Sequence, residues 1–250
     1  MLRIALLLLL VCYLPGALIF RLPWGAQPRR ATLPAEERLF WAVVLSIIVS
    51  GLATLTLALF GAYRFERLLW ICGGVILLLA LAGRSRLRLG DAAPRPTWTA
   101  LPPLALAGLA WYFASFVPPA EYVMGGKDPG VYMNAGIQIA QRGSLVITDP
   151  TVSEVPRPYR DLFFPSHDNP TYYSSRFMGF FLLNPDSGAV VSQFPHGYPA
   201  SIAIAYGVNG LSGARWVLSA WGLFGVVAVY FLGARIVGRP AALAGAALLA

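Results

Sequence analysis

Apolar residues run almost unbroken through residues 3–20, 39–60, 68–83 and 98–117, give way to a long polar stretch from about Pro118 to Gly197, and resume at Tyr198. The hydrocarbon core of a bilayer is about 30 Å thick and leaves backbone polar groups no partner but their own helix, so each crossing needs roughly 20 apolar residues. The four early stretches meet that length in full or nearly so. Gly73 and Gly74 in the third are small enough to permit close helix packing. Tyr198 to Gly210 is apolar but holds Asn209 and is too short to cross, which suits an interfacial or re-entrant helix. The next run, 215–237, is long enough to span, and another begins at 241–250. The pattern therefore predicts an all-α polytopic membrane protein. Three N-terminal spans and an arginine-rich loop occupy residues 1–97. A second block, 98–250, comprises span 98–117, a large loop 118–197, the interfacial helix 198–210, span 215–237 and the start of a further span.

Within the polar stretch the period changes. From Pro129 to Arg142, Val131, Met133, Ile137, Ile139 and Ala140 interleave with Tyr132, Asn134, Gln138 and Gln141, and Gly143 follows. Asp128 and Pro129 suit a helix start, so the stretch predicts an amphipathic helix lying near the outer leaflet. Short extended pieces are expected at 144–148 and 189–192. The proline- and aromatic-rich run between them reads as irregular surface chain.

Composition agrees with the pattern. The 250 residues are 57% hydrophobic and 12% charged, where soluble proteins carry about 25% charged residues. The formal charge of +8 comes from short arginine clusters between apolar spans, as in cytoplasmic membrane loops, so nucleic acid is not an expected partner. Residues 84–96 hold four arginines against Asp91, and 21–38 hold four against Glu36 and Glu37. Both are assigned to the cytoplasm, which sets the N-terminus, the turn GAYRFER and the loop 118–197 outside. Met1 to Phe20 resembles a signal peptide, but Leu22 and Trp24 stand where a small-residue cleavage site would be, so it is read as a retained span. Cys12 and Cys72 each fall inside an apolar run and suggest neither a disulfide nor a metal knuckle. The chain ends within an apolar run, which suggests the first part of a longer protein.

The loop 118–197 holds seven of the eleven carboxylates, Glu121, Asp128, Asp149, Glu154, Asp161, Asp168 and Asp186, and both histidines, His167 and His196. Asp128, at the membrane boundary and at the head of a helix, could take a proton from an incoming hydroxyl, hold a divalent cation, or only cap the helix. Lys127 could face a phosphate or snorkel to headgroups. Glu121 could be a second carboxylate of a catalytic or metal pair, or an exposed loop charge. Tyr132 stands one turn after Asp128 on the same helix face, where it could touch a ligand. His196, in SQFPHGYPA, could bind metal or a lipid phosphate, or be a surface histidine in a turn. His167 with Asp168 could also ligate metal. No HExxH, GxSxG or GxxxxGKS is present, which argues against the common protease, lipase and nucleotide-hydrolase sites.

The order of an outward span, KDPGVYMNAGIQIAQRGSL (127–145), FPHGYPASIAIAYGVNGLSG (194–213) and ARWVLSAWGLFGVVAVYFLGARIVGR (214–239) resembles the N-terminal half of polytopic GT-C superfamily glycosyltransferases. The likeness is to the bacterial branch with lipid A aminoarabinose transferases and protein O-mannosyltransferases. It covers about residues 100–250. In that family the first outer loop opens on Asp-Glu-x-x-Tyr. Asp128 and Tyr132 match its first and last positions, Pro129 replaces its glutamate, and GVNGLSG stands where Leu-Phe-Gly usually ends the second interfacial helix.

The resemblance implies GT-C-like spans with a large extracytoplasmic loop, in the cytoplasmic (inner) membrane of a bacterium. It implies inverting transfer of a sugar from a polyprenyl-phosphate-type carrier to a glycan, lipid or protein acceptor at the outer face. Asp128 would be the base. Lys127, Tyr132, Arg142, Arg176 and His196 are candidates for binding substrate or the lipid phosphate. Mg2+ or Mn2+ on Glu121 and His196 is a further possibility, since some family members use a metal and others do not. The alternatives are a non-enzymatic assembly factor and a transporter. A transporter predicts ionisable residues or broken helices at mid-membrane, and spans one to four carry no charge well inside them.

Overall fold

The computed structural model describes residues 2–22, 30, 32–83, 101–116, 128–164, 176–177 and 179–250. Its contacts divide the chain into two compact units. One comprises residues 1–50, 69–120 and 216–250, the other 51–68 and 121–215.

The first unit is helical. Helices α1 (Leu2–Cys12) and α2 (Leu14–Arg21) form one apolar stretch of 20 residues, broken at Tyr13 (φ −134°, ψ −55°) because Pro15 cannot continue an α-helix ladder from the preceding turn. Helix α3 (Ala35–Leu59) packs on α2 where Gly16 meets it. A Cβ on Gly16 would overlap the Ala42 carbonyl, and the Gly16 amide donates to Ser46 Oγ at 2.7 Å. By contrast, Gly73 and Gly74 of α4 (Phe65–Gly83) face open space among the described residues, so the expected close packing at that pair is not made there. Helix α5 (Leu101–Phe116) is 16 residues long as described.

The second unit holds a finding that contradicts an all-α chain. Helix α6 (Asp128–Arg142) leads into a four-stranded antiparallel sheet of β1 (Val146–Thr148), β2 (Arg176–Phe177), β3 (Phe180–Asn184) and β4 (Ala189–Ser192), in the order β1-β4-β3-β2. The extended pieces at 146–148 and 189–192 are thus paired strands. The unexpected partner is β3. Phe180 to Leu183 is rich in aromatic and apolar residues suited to a half-buried pleat. Its return turn is built by Asn184, whose Oδ1 accepts from the amides of Asp186 (2.9 Å) and Ser187 (3.2 Å), and by Gly188 at φ +70°. Behind the sheet, Val152 of α7 (Pro150–Ser153) joins Phe164, Leu182 and Val190 in a small core. Asp149 caps α7 through Oδ1 to the Thr151 amide, 3.0 Å. A 3-10 turn (Arg157–Tyr159) and α8 (Arg160–Phe163) follow. Arg160 and Arg157 both reach Asp186, at 2.7 and 3.4 Å, and the Arg160 hydrogen bond, with the charge of both arginines, holds its carboxyl below the usual range.

Helix α9 (Gly197–Arg215) is not straight. Asn209 (φ −146°, ψ 32°) and Gly210 (φ 58°, ψ −149°) leave helical geometry, and the second of these conformations is open only to glycine. The chain then enters α10 (Val217–Ile236) and α11 (Arg239–Leu249), which belong to the first unit. The α1/α2 stretch, α3, α4 and α10 are each long and apolar enough to cross a membrane. The chain is therefore a mostly helical, multi-pass membrane protein in architecture, with a small sheet in its polar segment.

Candidate functional site

Helices α6 and α9 form the scaffold of the polar unit. They close on each other at Gly136, where any side chain would overlap Ile202 and the Pro199 carbonyl. Around that contact Val131, Ile137 and Ile139 of α6 and Ala200, Ile202 and Ala203 of α9 are buried. Gln141 adds a hydrogen bond from Nε2 to the Tyr206 hydroxyl, 3.0 Å. The apolar face of α6 is thus covered by protein rather than lying bare on a leaflet. Its start also meets the sheet side, where Val131 fills the space beside Gly179.

The far end of α6 is fixed by a turn between two spans. Gly143, at φ +76°, ends the helix. Its carbonyl accepts from the Tyr63 amide (3.0 Å), and the Leu145 amide donates to the Ala58 carbonyl (3.1 Å). Phe65, at the start of α4, lies against Gly207 of α9. Residues 58–65 and the C-terminal end of α6 are therefore on one side of any membrane that α3 and α4 cross. Tyr63 is buried there, and desolvation pushes its phenol well above the ordinary range, with Glu66 acting in the same direction.

The candidate residues gather at the opposite end of α6. Asp128 is its first residue and is exposed. One turn on, Tyr132 stacks on Phe194 (centroids 4.8 Å apart, 25° between planes) and meets the edge of Tyr198 (5.6 Å, 79°). Burial raises the pKa of the Tyr198 phenol, which keeps it a hydrogen-bond donor. His196 joins the group through the chain between these rings, since its Nδ1 lies 2.7 Å from the Phe194 carbonyl oxygen. A carbonyl only accepts, so Nδ1 carries a proton. That leaves Nε2 as an acceptor in the neutral ring and a second donor in the imidazolium.

Beside this cluster is a cavity of about 10 Å³, lined by Gln138, Ser192 and His196 among apolar Ala135, Ile139 and Phe180. That is roughly the space of one water molecule. Gln138 Oε1 is buried without a hydrogen-bond partner among the described residues. Neither Gln138 nor the rings of Phe194 and Tyr198 stood out in the sequence. The signal for the rings was present in FPHGY, two aromatics flanking a histidine. Gln138 emerges only from the packing of α6 against the sheet.

The remaining candidates separate. Arg142 is at the other end of α6, 14 residues from Asp128, or about 21 Å at the helical rise of about 1.5 Å per residue. Arg176 lies on β2, its backbone paired with Phe181. Lys127, Glu121, His167 and Asp168 lie outside the described residues. Among the described residues no group of three or more His, Cys, Asp or Glu side chains is placed to hold a metal ion. The cavity at His196 offers a hydroxyl and an amide carbonyl but no carboxylate, a poor match to the oxygen-rich, anionic sets that hard divalent cations take. Asp128, Tyr132 and His196 therefore make up the candidate site, with Phe194 and Tyr198 as its walls. No protein-family model matches the chain, and no curated protein and no solved structure is significantly similar to it.

Proposed function

We propose that the chain is an inverting glycosyltransferase that moves a sugar from a polyprenyl-phosphate-type lipid to an acceptor hydroxyl at the outer face of a bacterial cytoplasmic membrane. The observation that supports this reading is the exposed Asp128 carboxylate one helical turn from an aromatic wall, in a polar unit tied to the turn between two spans. A pyranose presents apolar C–H faces that suit the rings of Tyr132, Phe194 and Tyr198, while its hydroxyls suit Nε2 of His196 and the Tyr198 phenol.

In the reaction, Asp128 accepts the proton of the acceptor hydroxyl as its oxygen attacks the anomeric carbon. The bond from that carbon to the carrier's phosphate oxygen breaks, its electron pair stays on the phosphate, and the anomeric centre inverts. Negative charge then builds on phosphate close to lipid, where a fixed positive charge or donor stabilises it more than in water. His196, as imidazolium, or Lys127 beside Asp128 would fill that role. Arg142 is too far along α6 to do so while Asp128 acts as base. A divalent ion would supply the same stabilisation as a Lewis acid. Glu121 would have to bring the carboxylate that His196 lacks.

Transfer of labelled sugar from a polyprenyl-linked donor pool by the protein in proteoliposomes tests the proposal, with Asp128→Asn as the critical variant. Loss of a general base costs roughly 10²–10⁴ in rate. An assembly factor predicts no transfer at all and a variant that behaves as wild type. A transporter predicts movement of an intact lipid-linked sugar without transfer. The break at Tyr13 resembles the broken helices of transporters, but Pro15 accounts for it.

A further inference from the structure

The first unit contains an apolar groove between three helices. Its floor is the ring stack of Phe40 from α3 with Phe224 (centroids 5.4 Å, 22°) and Phe231 (5.1 Å, 30°) from α10. Leu104 of α5 and Val227 of α10 line its walls, and Glu36 is the one ionisable residue in its lining. Its volume is about 180 Å³. An enclosed apolar cavity of about 150 Å³ admits a molecule the size of benzene, so this groove has room for several methylene groups. All three helices are apolar, and α3 and α10 are of membrane length. The medium that fills such a groove is hydrocarbon rather than water.

One end of the groove is marked by charge. Leu104 and Glu36 are in the first turns of α5 and α3, and Phe231 is in the last turns of α10, so the groove lies where all three helices have the same end. Arg235 follows Phe231 by one turn on the same face of α10. Its guanidinium reaches Glu37 (Nη2 2.6 Å, Nε 2.8 Å) yet its side chain stays half exposed, and Trp41 Nε1 donates to the same carboxylate oxygen at 3.3 Å. Arg239, the first residue of α11, is exposed. At this end the described residues include Arg21, Arg30, Arg38, Arg235 and Arg239 against Glu36 and Glu37. The surplus is cationic.

We propose that the groove binds one acyl chain of an anionic phospholipid, whose phosphate faces Arg235 and Arg239. The hydrocarbon chain would cover the phenylalanine stack, and the phosphate would meet the surplus positive charge at the groove's end. The site shares no residue with Asp128 and its aromatic wall and does not depend on the transferase reading. It gives the arginine-rich end a bound lipid in addition to a role in setting orientation.

Native mass spectrometry of the delipidated full chain, titrated with equal amounts of phosphatidylglycerol and phosphatidylcholine of identical acyl chains, tests the proposal. A basic residue near a lipid surface contributes about 1 kcal/mol, or about fivefold in affinity. The expected result is one tightly retained lipid, with phosphatidylglycerol preferred about fivefold or more. Arg239→Gln should reduce that preference about fivefold without loss of fold. Val227→Trp, which fills the groove, should remove the retained lipid of either kind. Leu104→Trp, at the half-exposed wall, should do the same if Val227→Trp does not fold. Equal retention of the two lipids overturns the proposal. So does retention unchanged in the filled-groove variants, which would place the lipid elsewhere or show the groove covered by protein.

Discussion

Gly136 decides whether the candidate site exists. Its missing side chain lets the α6 backbone reach Ile202 and the Pro199 carbonyl, and the same contact sets Tyr132 against Phe194 and Tyr198. Gly136→Val would force the helices apart. Overpacking of this kind costs about 1–3 kcal/mol, so thermal unfolding in detergent should shift to lower temperature, and transfer activity should fall through loss of the aromatic wall. An unchanged unfolding temperature would mean the helices do not approach as closely as described. At this scale the sequence was legible in part. Asp128, Tyr132 and His196 could be picked out because each is a polar or aromatic residue at a helix start or in a proline turn. Gln138, Phe194 and Tyr198 could not, since their roles come from which helix face meets which neighbour. The distance between Arg142 and Asp128 was implicit in the helix assignment, because 14 residues at the helical rise already separate them.

At the level of elements, hydrophobic run length carried most of the information. The stretches 39–60 and 215–237 correspond to α3 (Ala35–Leu59) and α10 (Val217–Ile236), both of crossing length. Run length says nothing about strands of three to five residues, and the sheet was correspondingly underread. Its hairpin signal was nonetheless in the chain, as NPDSG between two apolar pieces. Element ends also carry a testable contact, the pair that ties α10 to α3. Glu37 is buried, whereas Arg235 is half exposed. Arg235→Leu leaves a buried carboxylate with only the long Trp41 Nε1 hydrogen bond, at 3.3 Å, among the contacts described above, and should destabilise by about 1–3 kcal/mol. Glu37→Gln frees an arginine that water can reach and should cost less. The order of the two unfolding temperatures checks this, and the reverse order would contradict the geometry.

For the whole molecule, the central organisational fact is the docking of the 58–65 turn onto the C-terminal end of α6, through Tyr63 to Gly143 and Leu145 to Ala58. Positive-charge bias had set that turn and the loop 118–197 on the same side from arginine counts alone. The contacts are consistent with it on independent grounds. In a cysteine-free background, Arg64→Cys and Ser187→Cys should be labelled by a membrane-impermeant thiol reagent from one side of the membrane. Thr32→Cys, which precedes α3, should be labelled from the other. Labelling of all three from one side would contradict the crossing of α3.

The transferase reading stands or falls with Asp128. The most direct measurement is the initial rate of sugar transfer from a polyprenyl-linked donor in proteoliposomes, for wild type and Asp128→Asn at matched folded protein. The account predicts transfer by the wild type and a loss of roughly 10²–10⁴ in the variant. No transfer by the wild type, or equal rates for the two proteins, would contradict it.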